Sequence, residues 1–305
     1  MVSIVNLTLI IPTNNRSAVL ERTIESISKQ DYQPNEIIVV DATKPFTNKA
    51  VEWKKKFISL KSDVFYIPAV IKGAAAQRNY GVSFAKNEVL GFSDDDILLE
   101  QGCIRNLWIA LTNQDECGGV NATMVNQTFH ELGKVSRTFY NFLNSEKFDS
   151  YAGRVFGPAI AFYPKLSNSP PEYVRVDWLN SCLVFYKKEA LPNPVFDDHF
   201  TGYSLGEDLA VSLKVAKKWQ LFTVQTAKIF HDSQPGEHKD NLKAFSEMDL
   251  VNRFYIMKHI LNKNTAKDKW HLLLQQLWGG ITSKKIIYKD FWVGKISGIK
   301  KIRNV

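Results

Sequence analysis

Cysteine is scarce in this 305-residue chain, with Cys103, Cys117 and Cys182 odd in number and without CxxC spacing. Neither a disulfide framework nor a cysteine zinc site is expected on that ground, and a reducing cytoplasm is the expected setting. No apolar run approaches the roughly 18–20 residues of a spanning helix, so any membrane contact is expected to be peripheral, at the inner face of the plasma membrane. The first residues run straight into a strand-like pattern without a basic and then apolar leader, and no signal peptide is expected. Two signatures are also missing. The absence of GxxxxGK[ST] disfavours a P-loop kinase, and the absence of GxGxxG after the first strand disfavours a dinucleotide dehydrogenase. Internal repeats and low-complexity segments are lacking as well.

What is present has ordinary globular composition, 45% hydrophobic and 23% charged, which suits one large domain or a domain with a subdomain. The formal net charge is +8, from 39 Lys/Arg and 31 Asp/Glu. Residues 262–305 hold ten Lys/Arg against Asp268 and Asp290, so they carry the whole excess and the rest of the chain is balanced. A nucleic-acid binder would spread its basic footprint over the fold, and no nucleic-acid partner is expected. The pattern is that of a neutral body with a basic appendix.

Residues 7–12 (LTLIIP), 36–41 (EIIVVD), 64–67 and 89–93 (VLGFS) read as buried strands. Between them, residues 17–30, 48–60 and 74–86 read as helices, with Leu20, Ile24 and Ile27 at helical spacing in the first. This alternation predicts an α/β fold with a right-handed, mainly parallel sheet flanked by helices. Residues 144–177, rich in Gly, Pro and aromatics, read as long loops. Residues 179–186, 221–224 and 227–231 read as strands, and 206–219, 240–261 and 269–281 as helices. The domain boundaries expected are 1–238 for the catalytic body, divided near 98, and 239–305 for a helical basic appendix.

The strand at 89–93 ends on Asp94, Asp95 and Asp96. Three adjacent carboxylates repel one another and need a compensating cation. Ligands in open α/β sheets bind beyond the carboxyl ends of strands, and hard oxygen donors suit Mg²⁺ or Mn²⁺. An isolated acidic run would otherwise be a solvated, helix-capping turn.

Residues 9–16 (LIIPTNNR), 36–41 (EIIVVD), 76–81 (AQRNYG), 92–96 (FSDDD) and 206–208 (GED) together resemble family 2 glycosyltransferases of the GT-A fold, in order and spacing. The resemblance runs from about residue 7 to 231. It implies an inverting enzyme that moves a sugar from a nucleotide-diphosphate sugar, a UDP- or dTDP-sugar, to a hydroxyl of a glycan or lipid-linked acceptor in bacterial surface polysaccharide synthesis. It places Pro12, Thr13 and Arg16 beside the nucleotide and Asp41 at the base or ribose, although Ala42 stands where the family often has an acid or Asn. It places Arg78, Asn79 and Asp95 near the donor, Asp94 at the ribose or metal, and Asp96 on the metal. Asp208 becomes the base, with Glu207 orienting it or touching acceptor. By themselves such acids are favoured in a first helical turn by about 0.3–1 kcal/mol. His231 is a further metal ligand in some relatives, or else a polar residue ending a strand. Trp178 and Asp177 stand where relatives contact acceptor, though a core tryptophan is equally compatible with the pattern.

Two alternatives compete. A sugar-phosphate nucleotidyltransferase would need a glycine-rich opening loop, which residues 11–16 lack. A non-catalytic nucleotide- or glycan-binding protein would not need both acidic clusters intact. In the appendix, Tyr288, Trp292, Ile296 and Ile299 recur at helical spacing among Lys285, Lys289, Lys295, Lys300 and Lys301, a pattern suited to an anionic membrane surface or to packing on the protein. Gly294 and Gly298 weigh against a helix there.

Overall fold

Leu9, Ile10, Ile11 and the run Ile37, Ile38, Val39 and Val40 are all fully buried. A strand whose side chains on both faces are apolar can be satisfied only between two covering layers, and each such side chain contributes about 1.5–3 kcal/mol on burial. The computed structural model describes residues 2–127, 129–144, 148–165, 172–234 and 241–302. Within it the chain separates into two units, Met1–Thr128 with Pro164–Gln234, and Phe129–Tyr163 with Pro235–Val305.

The first unit begins with β1 (Ser3–Thr13), α1 (Ser17–Ser28), β2 (Tyr32–Asp41), α2 (Ala50–Lys56), β3 (Asp63–Pro68), α3 (Ala74–Val82) and β4 (Val89–Ser93). Short β5 (Ile97–Leu99), α4 (Cys103–Thr112) and β6 (Cys117–Met124) follow. The second unit contributes α5 (Lys134–Asn144), β7 (Val155–Phe156) and β8 (Ile160–Ala161). The chain then returns with β9 (Tyr173–Val176), β10 (Leu183–Lys187), α6 (Glu207–Val215) and β11 (Gln220–His231). The sheet order is β3-β2-β1-β4-β10-β6-β11-β5, with β9 also on β11. Strands β1 to β4, β6 and β11 run one way, and β5, β9 and β10 run the other. This is the mixed, mainly parallel sheet flanked by helices that the sequence pattern predicts.

Two local features differ from the sequence expectation. The strands expected at 221–224 and 227–231 are one strand, β11, whose pairing with β6 slips between Val224 and Lys228. An irregularity in register looks like a break when only the alternation of side chains is visible. The expected loop region at 144–177 contains β7, β8 and β9, while its Pro170 and Pro171 lie outside the described residues. Residues 235–240, which hold the expected boundary at 238 and the start of the helix expected from 240, also lie outside them.

Glycine fixes how α3 meets the sheet. A Cβ on Gly81 would stand 2.5 Å from Ile10 Cγ2, so only glycine lets this helix lie so close to β1. Gly73, at φ +148°, caps α3 and pairs with Gly202. The Ala74 N–H donates to the Gly202 carbonyl at 3.2 Å, and the Ala75 N–H to Ser204 Oγ at 3.3 Å. The start of α3 is thereby tied to the loop that leads into α6.

The second unit adds three helices, α7 (Leu242–Tyr255), α8 (Ala266–Thr282) and α9 (Lys289–Ile302). Asn241 caps α7 through the Ala244 N–H, and a Thr265–Asp268 capping box opens α8. Gly294 and Gly298 do not prevent α9. A Cβ on Gly294 would lie 2.3 Å from the Lys243 carbonyl, and one on Gly298 3.1 Å from Leu250 Cδ2. The close approach to α7 that these glycines permit outweighs their weak helix propensity of about 1 kcal/mol each. Leu143, Tyr151, Phe156 and Ile160 form one core cluster here, and Leu250, Phe254, Met257 and Leu272 another.

Candidate functional site

The carboxyl ends of β1, β2 and β4 converge with the start of α6. Gln77 of α3 holds two of those ends together, its Nε2 donating to the carbonyls of Thr13 (2.9 Å) and Val40 (2.7 Å). Thr13 Oγ1 donates to Asp95 Oδ2 at 2.6 Å. Arg16, just past β1, places its guanidinium 3.2 Å from Asp95 Oδ1 and 3.3 Å from Asp96 Oδ2. Burial pushes the Asp95 carboxyl up to about 6, against the Thr13 hydrogen bond and the Arg16 charge. Burial acts on Asp96 in the same direction, but its hydrogen bond and charge interaction with His231 hold it below the usual carboxylate range.

His231 ends β11, and its Nε2 stands 3.1 Å from Asp96 Oδ1. Its ring is oriented from behind by Gln127, whose Nε2 lies 3.0 Å from Nδ1. Its backbone is clamped by Asn126, which donates to the His231 carbonyl at 2.8 Å and accepts its N–H at 3.1 Å.

Arg78 joins the two acidic clusters. It is only 2% exposed, so it is not the surface-helix arginine that its position in a helix would allow. One guanidinium nitrogen donates to Asp94 Oδ1 at 2.7 Å and the other to Glu207 Oε1 at 2.6 Å. The guanidinium carbon lies 5.4 Å from the Phe196 ring centroid, and the buried Nε–H meets no acceptor among the described residues. Beside Glu207, Asp208 Oδ1 accepts the Leu209 N–H at 2.7 Å. Burial raises the Asp208 carboxyl to about 6, although the Leu209 N–H and Arg78 pull it down. Burial likewise pushes Glu207 up, opposed by Arg78.

Other residues expected at the site have their polar groups engaged in holding the chain. Asp41 accepts the Tyr66 hydroxyl at 2.7 Å and the Thr43 N–H at 2.7 Å. The Asn79 side-chain amide exchanges two hydrogen bonds with the Phe196 backbone, at 2.6 and 2.9 Å. Pro12 pairs with Val40 inside the sheet. Trp178 is 9% exposed and Asp177 is half-buried. The next residue, Leu179, donates its N–H to Ser212 Oγ of α6 at 2.9 Å.

One contributor has no sequence motif. Cys182 precedes β10, the strand antiparallel to β4. Its Sγ lies with a ligand atom of Asp94 and one of His231, all within 4.8 Å of one another. Only strand order could have found it, because nothing in the local sequence says that β10 inserts beside β4. The set offers carboxylate, imidazole and thiol donors, with the Asp96 carboxylate against the same imidazole. Acids outnumber the two arginines around it. The residues present therefore fit a divalent cation.

Comparison with known proteins bears on part of this region. Residues 8–165 match the family described as Glycosyl transferase family 2. The glycosyltransferase GlyG of Streptococcus pneumoniae is 27% identical over 143 residues, 47% of this chain and 45% of that protein. A Campylobacter jejuni protein named as a GalNAc(5)-diNAcBac-PP-undecaprenol beta-1,3-glucosyltransferase is 33% identical over 101 residues, 33% of each chain. This chain thus spans less than half the length of either curated relative. Among solved structures, a mannosyltransferase from Pyrobaculum calidifontis in complex with GDP-Man and Mn²⁺ superposes with a TM-score of 0.56 at 18% identity, over 97% of this chain and 86% of that one. The S. aureus protein TarS, residues 1–349, gives 0.53 at 15% identity, over 96% and 78%. At those identities the likeness is one of fold, and it is the GT-A fold. Asp208 and His231 lie beyond the matched family segment.

Proposed function

Because the chain belongs to glycosyl transferase family 2, and is a glycosyltransferase by that membership, we propose that it transfers a sugar from a nucleotide-diphosphate donor to an acceptor hydroxyl with inversion at the anomeric carbon. The observation that carries this reading is the Arg78 bridge between Asp94 and Glu207. It brings the acidic end of β4 to the acidic start of α6, more than a hundred residues away in sequence. A donor-binding group and a base must be that close if one sugar is to lie between them.

In this reading Asp208 takes the acceptor proton as the hydroxyl oxygen attacks the anomeric carbon and the bond to the leaving diphosphate breaks. A positioned base contributes roughly 10²–10⁴-fold, and a carboxyl raised to about 6 is a stronger base than a free one while still ionised at neutral pH. Arg78 orients Glu207 and Asp94, Arg16 and Thr13 orient Asp95 and Asp96, and Pro12 and Asp41 line the nucleotide side. Asp96, Asp94 and His231 would hold a Mn²⁺ or Mg²⁺ ion, which supplies neutralisation of the charge that develops on the diphosphate. A neighbouring fold solved with GDP-Man and Mn²⁺ supports a nucleotide-sugar donor and a divalent ion. Donor choice between UDP and dTDP is assigned to the Asp41 region, and Trp178 with Asp177 to the acceptor side.

The acceptor in this reading is a glycan or lipid-linked glycan of a bacterial surface polymer, supported by the undecaprenol-linked acceptor in the name of the Campylobacter relative. No described helix is long and apolar enough to cross a membrane. In the second unit Tyr288, just before α9, is exposed, as are Trp292 and Ile296 one turn apart on it. Such exposed residues among lysines suit an anionic bilayer surface on the cytoplasmic side. Ile299, which the helical spacing groups with them, and Lys295, one of the lysines between them, turn inward instead.

Thermal-shift measurements with nucleoside diphosphates and nucleotide sugars, with and without Mn²⁺, test the reading, because a ligand that binds the native state raises its stability. The expected result is stabilisation by one nucleotide class that needs the metal and is lost in Asp96→Ala. Turnover that releases pyrophosphate in place of a nucleoside diphosphate would overturn it.

A further inference from the structure

We propose that Cys182 is a protein ligand of the divalent-ion site, completing a set with Asp94 and His231 that favours thiophilic ions such as Co²⁺, Cd²⁺ and Zn²⁺ over Mg²⁺. The inference rests on the metal-dependent reading above and adds a residue and a metal preference to it.

The geometry is the first support. Ligand atoms of Asp94, Cys182 and His231 lie within 4.8 Å of one another. Zn–S and Zn–N bonds of about 2.3 and 2.0 Å place donors of one tetrahedral ion roughly 3.5 Å apart. The three side chains therefore need to close by only about an ångström, which rotamer adjustment supplies.

The second support is that backbone contacts hold the thiol there. The Asp94 N–H donates to the Cys182 carbonyl at 3.0 Å, and the Cys182 N–H donates to Asn180 Oδ1 at 3.2 Å. Pairing of Leu183 with Ser93 continues the same register. His231 is fixed independently by Asn126 and Gln127. Two ligands are thus set by separate segments, just before β10 and at the end of β11, which is how protein sites reduce the cost of assembling donors.

The contrast with the other cysteines is the third support. Cys103 and Cys117 are fully buried on α4 and at the start of β6, and neither belongs to a ligand cluster among the described residues. Cys182 is 9% exposed and borders the carboxylates. A thiol that coordinates an ion gives up its proton, so binding at this site releases one proton to solvent for each ion taken up through sulfur. A soft sulfur donor raises affinity for Co²⁺, Cd²⁺ and Zn²⁺ and leaves Mg²⁺ almost untouched.

The test is titration of the full chain with Co²⁺ and with Cd²⁺, read as thiolate-to-metal charge-transfer absorption in the ultraviolet. Wild type is expected to develop one band that saturates at one equivalent. The Cys103→Ala/Cys117→Ala double variant is expected to keep it and Cys182→Ser to lose it. Cys182→Ser should weaken Cd²⁺ about tenfold or more and Mg²⁺ less than about threefold, measured by competition. If Cys182→Ser does not fold, the double variant still assigns the band, since Cys182 is then the one thiol left. A wild-type Co²⁺ complex with no sulfur band overturns the inference. If Mn²⁺ still binds there by electron paramagnetic resonance, the proposed function stands without the sulfur ligand. If no divalent ion binds at all, both readings fall.

Discussion

Each of the two units buries ion pairs, but with opposite arithmetic. In the first, Asp94, Asp95, Asp96, Glu207 and Asp208 share Arg16 and Arg78, and burial raises Asp95, Glu207 and Asp208. In the second, Asp249 stands alone between Arg253 (2.8 Å) and Lys295 (3.1 Å). Burial alone would raise its carboxyl, but the two cations hold it well below the ordinary range. Lys295 also donates to the Ser246 carbonyl at 2.9 Å and to the Gln276 side chain. A network with a surplus of acid suits a bound cation, as the proposed function has it. A network with its cations already supplied is a structural fastening. Burial looks alike in both; the charge count separates a site from a strut.

That contrast can be broken at several points. The largest effect is expected from Asp208→Asn, with sugar transfer falling about 10²–10⁴-fold while metal-dependent nucleotide binding persists in calorimetry. Near-normal transfer would remove Asp208 as base. Lys295→Met should act on stability instead. Losing the charged hydrogen bonds of Lys295 while Arg253 still pairs Asp249 costs about 1.5–3 kcal/mol, seen as a lower denaturation midpoint, with nucleotide affinity at the first unit's site unchanged. A loss of nucleotide affinity in a folded Lys295→Met protein would show that the two networks are not separate in role.

The acid surplus should also be visible in pH dependence. As the proposed base, Asp208 would act only when ionised, and its carboxyl is raised to about 6, above the ordinary carboxylate value. Transfer should therefore rise about tenfold per unit as pH climbs toward 6 and level off above it. The limb should vanish in the residual rate of Asp208→Asn. A profile flat down to pH 4.5 would argue that the carboxyl is not raised. The smallest effect is expected at the surface of the second unit. Trp292→Ser with Ile296→Ser should reduce flotation with anionic liposomes by about tenfold, without altering the melting temperature by more than a few degrees. Equal flotation of variant and wild type would separate this stripe from membranes.

The parts of the site that were legible in the sequence are those where one element carries the signal. An apolar strand ending in Asp94, Asp95 and Asp96 announces both its burial and its cluster of carboxylates, and a helix opening on Glu207 and Asp208 announces a second one. Arg78 was legible as a residue but not as a bridge, since its two partners come from different elements. Gly294 and Gly298 read locally as helix breakers, but their reason for being there is the backbone of α7 that they touch. The break expected inside β11 is a change of register, visible only once β6 is beside it.

Sequence alone carries the alternation of strands and helices, the family, the acidic residues after β4 and at the start of α6, and the segregation of positive charge after residue 261. Those follow from periodicity, composition and short contiguous patterns, which local chain chemistry sets. Only the folded chain shows that β10 enters antiparallel beside β4 and brings Cys182 to Asp94 and His231. It alone placed residues 129–163 with the C-terminal helices, and turned Lys295 inward while Trp292 stays out. These are contacts between segments far apart in the chain. They are chosen by which arrangement buries the most apolar surface while pairing every buried charge, a condition that no local stretch of sequence contains.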